Sequence, residues 1–188
     1  MRSGLVAWAH RHAVAVGLTA SVLLVLVLRV PFAGAMPYPD EGGLLIVAQN
    51  AFQGGPDLYG RHFVDRPQGL VLLYRLGVML GGVDALRWIG IALVVGLVLI
   101  ATRVGYLLSG RVGSAWTGLV TATLACNPLL GTRQVNAELI GAPLSLLSCL
   151  AAIEALRCQR SALRALLLVL AGASGAGALL IKQNLVDG

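Results

Sequence analysis

The chain alternates long apolar runs with short basic links, and the first run, VGLTASVLLVLVL, lies inside a segment from Ala13 to Phe32. A helix needs roughly 20 apolar residues to cross a hydrocarbon core, so this segment predicts a first span, with Trp8 and Arg11 ahead of it. A second span is expected from Asp84 to Leu108, then a turn over Ser109 to Val112, then a third span from Gly113 to Leu130. The fourth covers Glu138 to Leu156. After the basic link RCQRSALR, residues 157–164, a fifth occupies Ala165 to Ile181, where Gly172, Gly175 and Gly177 allow close helix approach. The expected fold is all-α, a single transmembrane domain over residues 1–188 with about five transmembrane helices. A cleavable signal peptide competes at the N-terminus, because Ala33-Gly34-Ala35 imitates a cleavage site. The length of the run and Arg29 near its end favour a retained span.

Residues 33 to 83 interrupt this pattern, and connections longer than about 15 residues are uncommon unless they carry function. Within them, DEGGLLIVAQNAF predicts a short helix in which Asp40 caps the start and Glu41 suits the positive first turn. Leu44, Val47, Ala48 and Ala51 share one face, and Gly54-Gly55-Pro56 ends the helix. DLYGRHFVDRPQG follows at 57–69, dense in charge and aromatic character. LVLLYRLGVMLGG, at 70–82, is too short to span and predicts an interfacial or re-entrant helix.

Composition narrows the class. With 57% apolar and 12% charged residues and a mean hydropathy of +0.84, a water-soluble domain is excluded as the first reading. The net charge of +6 comes from arginines and the single lysine, Lys182. These bracket apolar runs, so they point to topology and lipid phosphates, not to nucleic acid. Cys126, Cys149 and Cys158 show neither disulfide nor metal-ligand spacing. The glycines before Lys182 do not form a phosphate loop, because Gln183 follows and the spacing differs.

An odd number of spans places the chain ends on opposite sides, and the basic tally alone does not orient them. Arg2, Arg11, Arg103, Arg111, Arg157, Arg160 and Arg164 balance Arg29, Arg61, Arg66, Arg75, Arg87, Arg133 and Lys182. The first set sits in short links close to span ends, where basic residues hold the cytoplasmic side most strongly. The N-terminus is therefore expected inside. Asp40, Glu41, Asp57, Asp65, Asp84, Glu138 and Asp187 then lie outside, and Glu154 alone inside. Acids contribute little to topology, so their grouping suggests an outer site. Asp40 and Glu41 have a plain reading as cap and dipole partner and a functional one as a boundary carboxylate acting as base; the two are compatible.

The order of these pieces resembles a known family: a span, D-E-G at a helix start, an apolar helix, then Y-G-R-H-F-V-D-R-P-Q-G and an amphipathic segment. It is similar to the N-terminal part of GT-C fold membrane glycosyltransferases, in the branch of protein O-mannosyltransferases and aminoarabinose transferases of lipid A. R-Q-V-N-A-E, residues 133–138, resembles the stretch where that group places an acid at the outer start of a later span, and Ile181-Lys182-Gln183-Asn184 resembles its lysine after a glycine-rich span. Family members are longer and often carry a lysine and a second proline where this chain has Arg66 and Gln68.

The resemblance implies a polyprenyl-phosphate sugar donor, an envelope glycan, lipid or protein acceptor, and transfer on the extracytoplasmic side of the plasma membrane. By that analogy Asp40 is the catalytic base, Glu41 orients the acceptor or tunes the base, and Glu138 supports the acceptor pocket or a divalent metal. Arg66 is the first candidate for the donor phosphate, with Arg61, His62 and Lys182 beside it. Tyr59 suits sugar stacking or the aromatic belt, and Arg133 and Asn136 are lesser candidates. No cofactor is firmly implied. A non-catalytic membrane protein, a transporter subunit or an assembly factor, is the alternative class.

Overall fold

The computed structural model describes residues 2–51, 66–131 and 133–182, with side chains from residue 12 onward. Every element among them is helical. In chain order these are α1 (Arg2–Arg29), a 3-10 turn (Val30–Phe32), α2 (Pro39–Gln49), α3 (Gln68–Leu80), α4 (Val83–Ala125), a second 3-10 turn (Pro128–Leu130), α5 (Ala137–Arg157) and α6 (Ser161–Ile181). Among the described residues, four stretches are long and apolar enough to cross a membrane: His12–Phe32, α4, α5 and α6. The chain is an all-α protein of membrane character. It divides into two compact units, Met1–Pro31 with Ile91–Arg133 and Phe32–Gly90 with Gln134–Gly188.

In the first unit, the part of α4 from Ile91 onward is a hairpin and not a rod. Twelve residues of straight helix rise about 18 Å, yet the Ser114 hydroxyl donates to the Thr102 carbonyl at 2.9 Å. A Cβ added to Gly105 would lie 2.4 Å from Thr117 Oγ1, and one added to Gly118 would lie 2.7 Å from Thr102 Oγ1. These pairs advance in opposite directions along the chain, so the two arms are antiparallel. The reversal is at Gly110, whose φ of 69° favours a residue without a Cβ. It falls inside the turn expected over Ser109 to Val112 and is tighter, because one non-helical residue suffices.

Helix α1 packs on the second arm through small residues. A Cβ on Gly17 would come within 2.4 Å of Ala115 Cβ, Ser21 lies beside Gly118, and Arg29 Nη2 donates to the Ala125 carbonyl at 3.2 Å. These contacts advance together, so α1 and the second arm run parallel. Ser21, Val25 and Ala122 are fully buried along the seam. In lipid such packing replaces the hydrophobic drive, because backbones that approach closely gain dispersion. The second arm stops at Ala125, earlier than the span expected to reach Leu130. Asn127 then caps the short turn, its side chain accepting from Leu129 N at 3.0 Å.

The second unit is built on an antiparallel α5–α6 pair. Ser148 Oγ donates to the Ala171 carbonyl at 2.8 Å, and a Cβ on Gly175 would lie 3.2 Å from Ser148 Oγ. Gly177 faces Leu144 at an ordinary 3.6 Å, whereas Gly172 has nothing within 4 Å and takes no part in the close approach. The link between α5 and α6 is shorter than expected. Ser161 to Arg164 are already helical, and Arg164 N donates to the Arg160 carbonyl at 2.9 Å.

Helices α2 and α3 pack beside this pair. Asp40 does not cap α2: Tyr38 is the N-cap, Pro39 opens the helix, and Asp40 and Glu41 follow in its first turn. Proline at the first position explains the shift, since its fixed φ is already helical and its missing N–H is not needed there. The helix ends at Gln49, and residues 54–56, expected to end it, lie outside the described residues. Its buried face holds Leu44, Val47 and Ala48 as expected, with Leu45 in addition, and Ala51, expected on the same face, is buried in the turn after the helix. Helix α3 buries Leu70, Val71, Tyr74 and Gly77, while Leu72, Leu76, Met79 and Leu80 are exposed. At 13 residues it is about 20 Å long, too short for a 30 Å core. Gly81 and Gly82, at φ 135° and 74°, turn the chain into α4, and Gly77 lets Leu86 come close.

Candidate functional site

A cavity of about 510 Å³ opens in the second unit where the starts of α2, α3 and α5 meet the end of α6. Leu44, Leu70 and Ile181 give it apolar surface, and its charged lining is Asp40, Glu41, Arg66, Glu138 and Lys182. Residues from opposite ends of the chain meet here because α5 and α6 are antiparallel, which returns Lys182 to the level of Glu138.

Glu41 is the anchor of the α2 end. It is only 3% exposed, and Arg87, from the first turns of α4, grips it with both terminal nitrogens, Nη1 to Oε1 at 2.5 Å and Nη2 to Oε2 at 2.7 Å. Oε2 also accepts from Tyr38 N at 2.8 Å, closing the first turn of α2, and Oε1 accepts from Val135 N at 2.7 Å. Burial by itself would raise the Glu41 carboxyl. The Arg87 hydrogen bond, then the Val135 and Tyr38 amides, outweigh it and hold the group below its ordinary value. Arg87 further donates from Nη2 to the Met36 carbonyl at 3.0 Å, and its guanidinium lies 5.9 Å from the Tyr38 ring centroid.

Val135 joins this cluster to α5. Its carbonyl accepts from the hydroxyl of fully buried Tyr74 at 2.7 Å, and burial pushes that phenol well above its ordinary range, with the Glu41 charge adding to the shift. The next residue, Asn136, caps α5, its side chain accepting from Leu139 N at 2.9 Å. Glu138 follows in the first turn, 57% exposed, and pairs with Lys182. Arg66 is exposed on the cavity lining, and its charge also reaches Glu138.

Asp40 differs from its neighbour. It is exposed to the cavity and has no hydrogen-bond or ion-pair partner among the described residues. The arrangement puts one unengaged carboxylate in the same cavity as Arg66 and as Lys182, the latter paired with Glu138, a combination suited to removing a proton while stabilising negative charge elsewhere on a bound molecule.

Of the residues singled out in the sequence, Asp40, Glu41, Arg66, Glu138 and Lys182 line this one cavity, as does Asn136. Arg133 is exposed and belongs to the other unit. Arg61 and His62 lie outside the described residues, as do Asp57, Tyr59 and Asp65. Among the described residues no group of three or more His, Cys, Asp or Glu gathers in a way that would hold a metal ion. Sequence reasoning missed Arg87, counting it only among the outer basic residues. Its signal was its place a few residues inside an apolar run, where an arginine demands a partner.

No family model, curated protein or solved structure matches the chain.

Proposed function

We propose that the chain is a membrane glycosyltransferase of the GT-C type that uses a polyprenyl-phosphate sugar. The observation that carries this reading is Asp40, unengaged and exposed in the same cavity as Arg66 and Lys182. Asp40 takes the proton from an acceptor hydroxyl as that oxygen bonds to the anomeric carbon. The bond from that carbon to the phosphate oxygen breaks, and the lipid phosphate leaves with the electron pair. Arg66 offers a planar fork for its oxygens. Lys182 supplies a second positive charge by leaving Glu138, which is within its reach because the pair is partly exposed. The ordered motifs of the sequence supply the sugar and the lipid carrier in this reading.

In the same proposal the α4 hairpin counts as two spans, giving five in all. The N-terminus is cytoplasmic, and the cavity opens on the outer face of the plasma membrane, where lipid-linked donors and envelope acceptors meet. The test is transfer of labelled sugar from polyprenyl-phosphate donors by membranes containing the chain. Asp40→Asn is expected to lower transfer by about 10²- to 10⁴-fold, the usual contribution of a positioned base. Equal transfer by Asp40→Asn removes Asp40 as the base, and absence of transfer from every such donor favours a non-catalytic membrane protein.

A further inference from the structure

We propose that Arg87 is a positioning residue for the cavity, setting Asp40 against the Glu138 end through Glu41; its catalytic consequence rests on the transferase reading above. Arg87 is not among the residues that line the cavity, and its nearest functional neighbour is a carboxylate with every strong acceptor direction in use. Any effect on chemistry must therefore pass through the backbone that Arg87 holds.

That backbone is the support of Asp40. With no side-chain partner among the described residues, Asp40 is placed only by the first turn of α2. Three of the groups around that turn converge on Arg87: the Met36 carbonyl, the Tyr38 ring and the Glu41 carboxylate. The other side of the cavity hangs from the same carboxylate. Glu41 Oε1 holds Val135 N, and from Val135 the chain passes through the Asn136 cap to Glu138. The Glu41 carboxylate, held at both oxygens by the Arg87 guanidinium, thus ties the segment bearing the proposed base to the segment bearing Glu138 and its partner Lys182.

The geometry needs arginine and not merely a positive charge. Two nitrogens engage two carboxylate oxygens while one of them also reaches Met36. A lysine ammonium is a point donor on a flexible stem and cannot hold this fork. Since misplacement by about 1 Å can cost 10²-fold in rate, Arg87→Lys should leave a folded protein with a displaced carboxylate.

Two measurements decide it, both on the full chain in lipid nanodiscs. The first needs no activity. Spin labels on Gly43→Cys and Ala137→Cys, with Cys126, Cys149 and Cys158 replaced by serine, report the distance across the cavity; a Cβ at Gly43 meets nothing within 4 Å. Arg87→Lys and Glu41→Gln are each expected to broaden or shift that distribution, and an unchanged distribution in both overturns the proposal. The second is sugar transfer. Arg87→Lys should lower kcat per folded molecule about 10- to 100-fold, with the donor KM within about twofold. A simple structural strut would instead reduce the amount of folded protein at unchanged kcat, and that result also overturns it. If the parent chain itself transfers no sugar, the transferase reading fails while the distance measurement still decides whether Arg87 positions the cavity.

Discussion

Arg87 and Glu41, 46 residues apart in sequence, form a two-point ion pair with side chains 6% and 3% exposed. Neither charge is affordable alone at that depth. Together, and with the Tyr38 and Val135 amides on the same carboxylate, they fix how α2, the first turns of α4 up to Gly90 and the approach to α5 meet.

Removing one partner should therefore be far worse than removing both. Arg87→Leu or Glu41→Leu leaves a buried charge uncompensated, at a cost of about 3–5 kcal/mol. The double replacement should recover part of that loss, since no buried charge is left unpaired, but not all of it, because the Tyr38 and Val135 amides lose their acceptor. Thermal unfolding of the three variants in one detergent checks this, and additive losses would remove the pair as the source of stability.

Acid should weaken the second unit. Folding holds Glu41 below its ordinary value of 4.5, so as pH falls the unfolded chain takes up this proton first. The stabilisation is fully present above the unfolded value and is lost as pH falls through the lower folded value. Unfolding midpoints recorded from neutral pH down to acid should fall below about pH 4.5 in the parent chain. In Glu41→Gln, less stable throughout, that part of the decline should be absent.

Glycines in the spans should divide sharply by what faces them. Gly17→Val drives a side chain into Ala115, where even a Cβ would lie 2.4 Å away, and should cost about 1–3 kcal/mol or separate α1 from the hairpin. Gly172→Ala meets open space and should be neutral or stabilising by about 0.5–1 kcal/mol through helix propensity. Unfolding of both variants in detergent tests the contrast. Equal destabilisation would show that the close approach at Gly17 is not what holds α1.

Sidedness is testable through the α5–α6 pair, which places Cys158 at the end opposite Glu138 and Lys182. In a chain with Cys126 and Cys149 replaced by serine, a membrane-impermeant thiol reagent should label Met36→Cys in intact cells, Met36 being 88% exposed. Cys158 should react only after permeabilisation. The reverse pattern would place the cavity on the cytoplasmic side.

Periodicity and composition were enough for the helices, because a run of about 20 apolar residues has few stable alternatives in lipid. They also marked a turn over Ser109 to Val112, the stretch that holds Gly110, and Lys182 as lying beyond the last apolar run, and the ordered motifs drew attention to Asp40, Arg66 and Glu138. What they could not reach was anything decided by distant packing. The cap of α2 passed from Asp40 to Tyr38 because Pro39 begins the helix and Glu41 turns back to the Tyr38 amide. Gly175 faces Ser148 closely while Gly172 faces open space, a difference set by helix rotation, to which a glycine count is blind.

Most of all, tertiary structure gave two adjacent carboxylates opposite circumstances. In sequence Asp40 and Glu41 are adjacent acids at a helix start, told apart only by the expected cap and by a resemblance. One residue of helix turns a side chain by about 100°, so Glu41 points to Arg87 and is consumed by four hydrogen bonds, while Asp40 is left facing the cavity. The order of residues alone was enough to put two carboxylates at this helix start, since Pro39 opens the helix just ahead of them. It took the fold, bringing Arg87 and Val135 to Glu41, to engage one of them fully and leave the other facing the cavity.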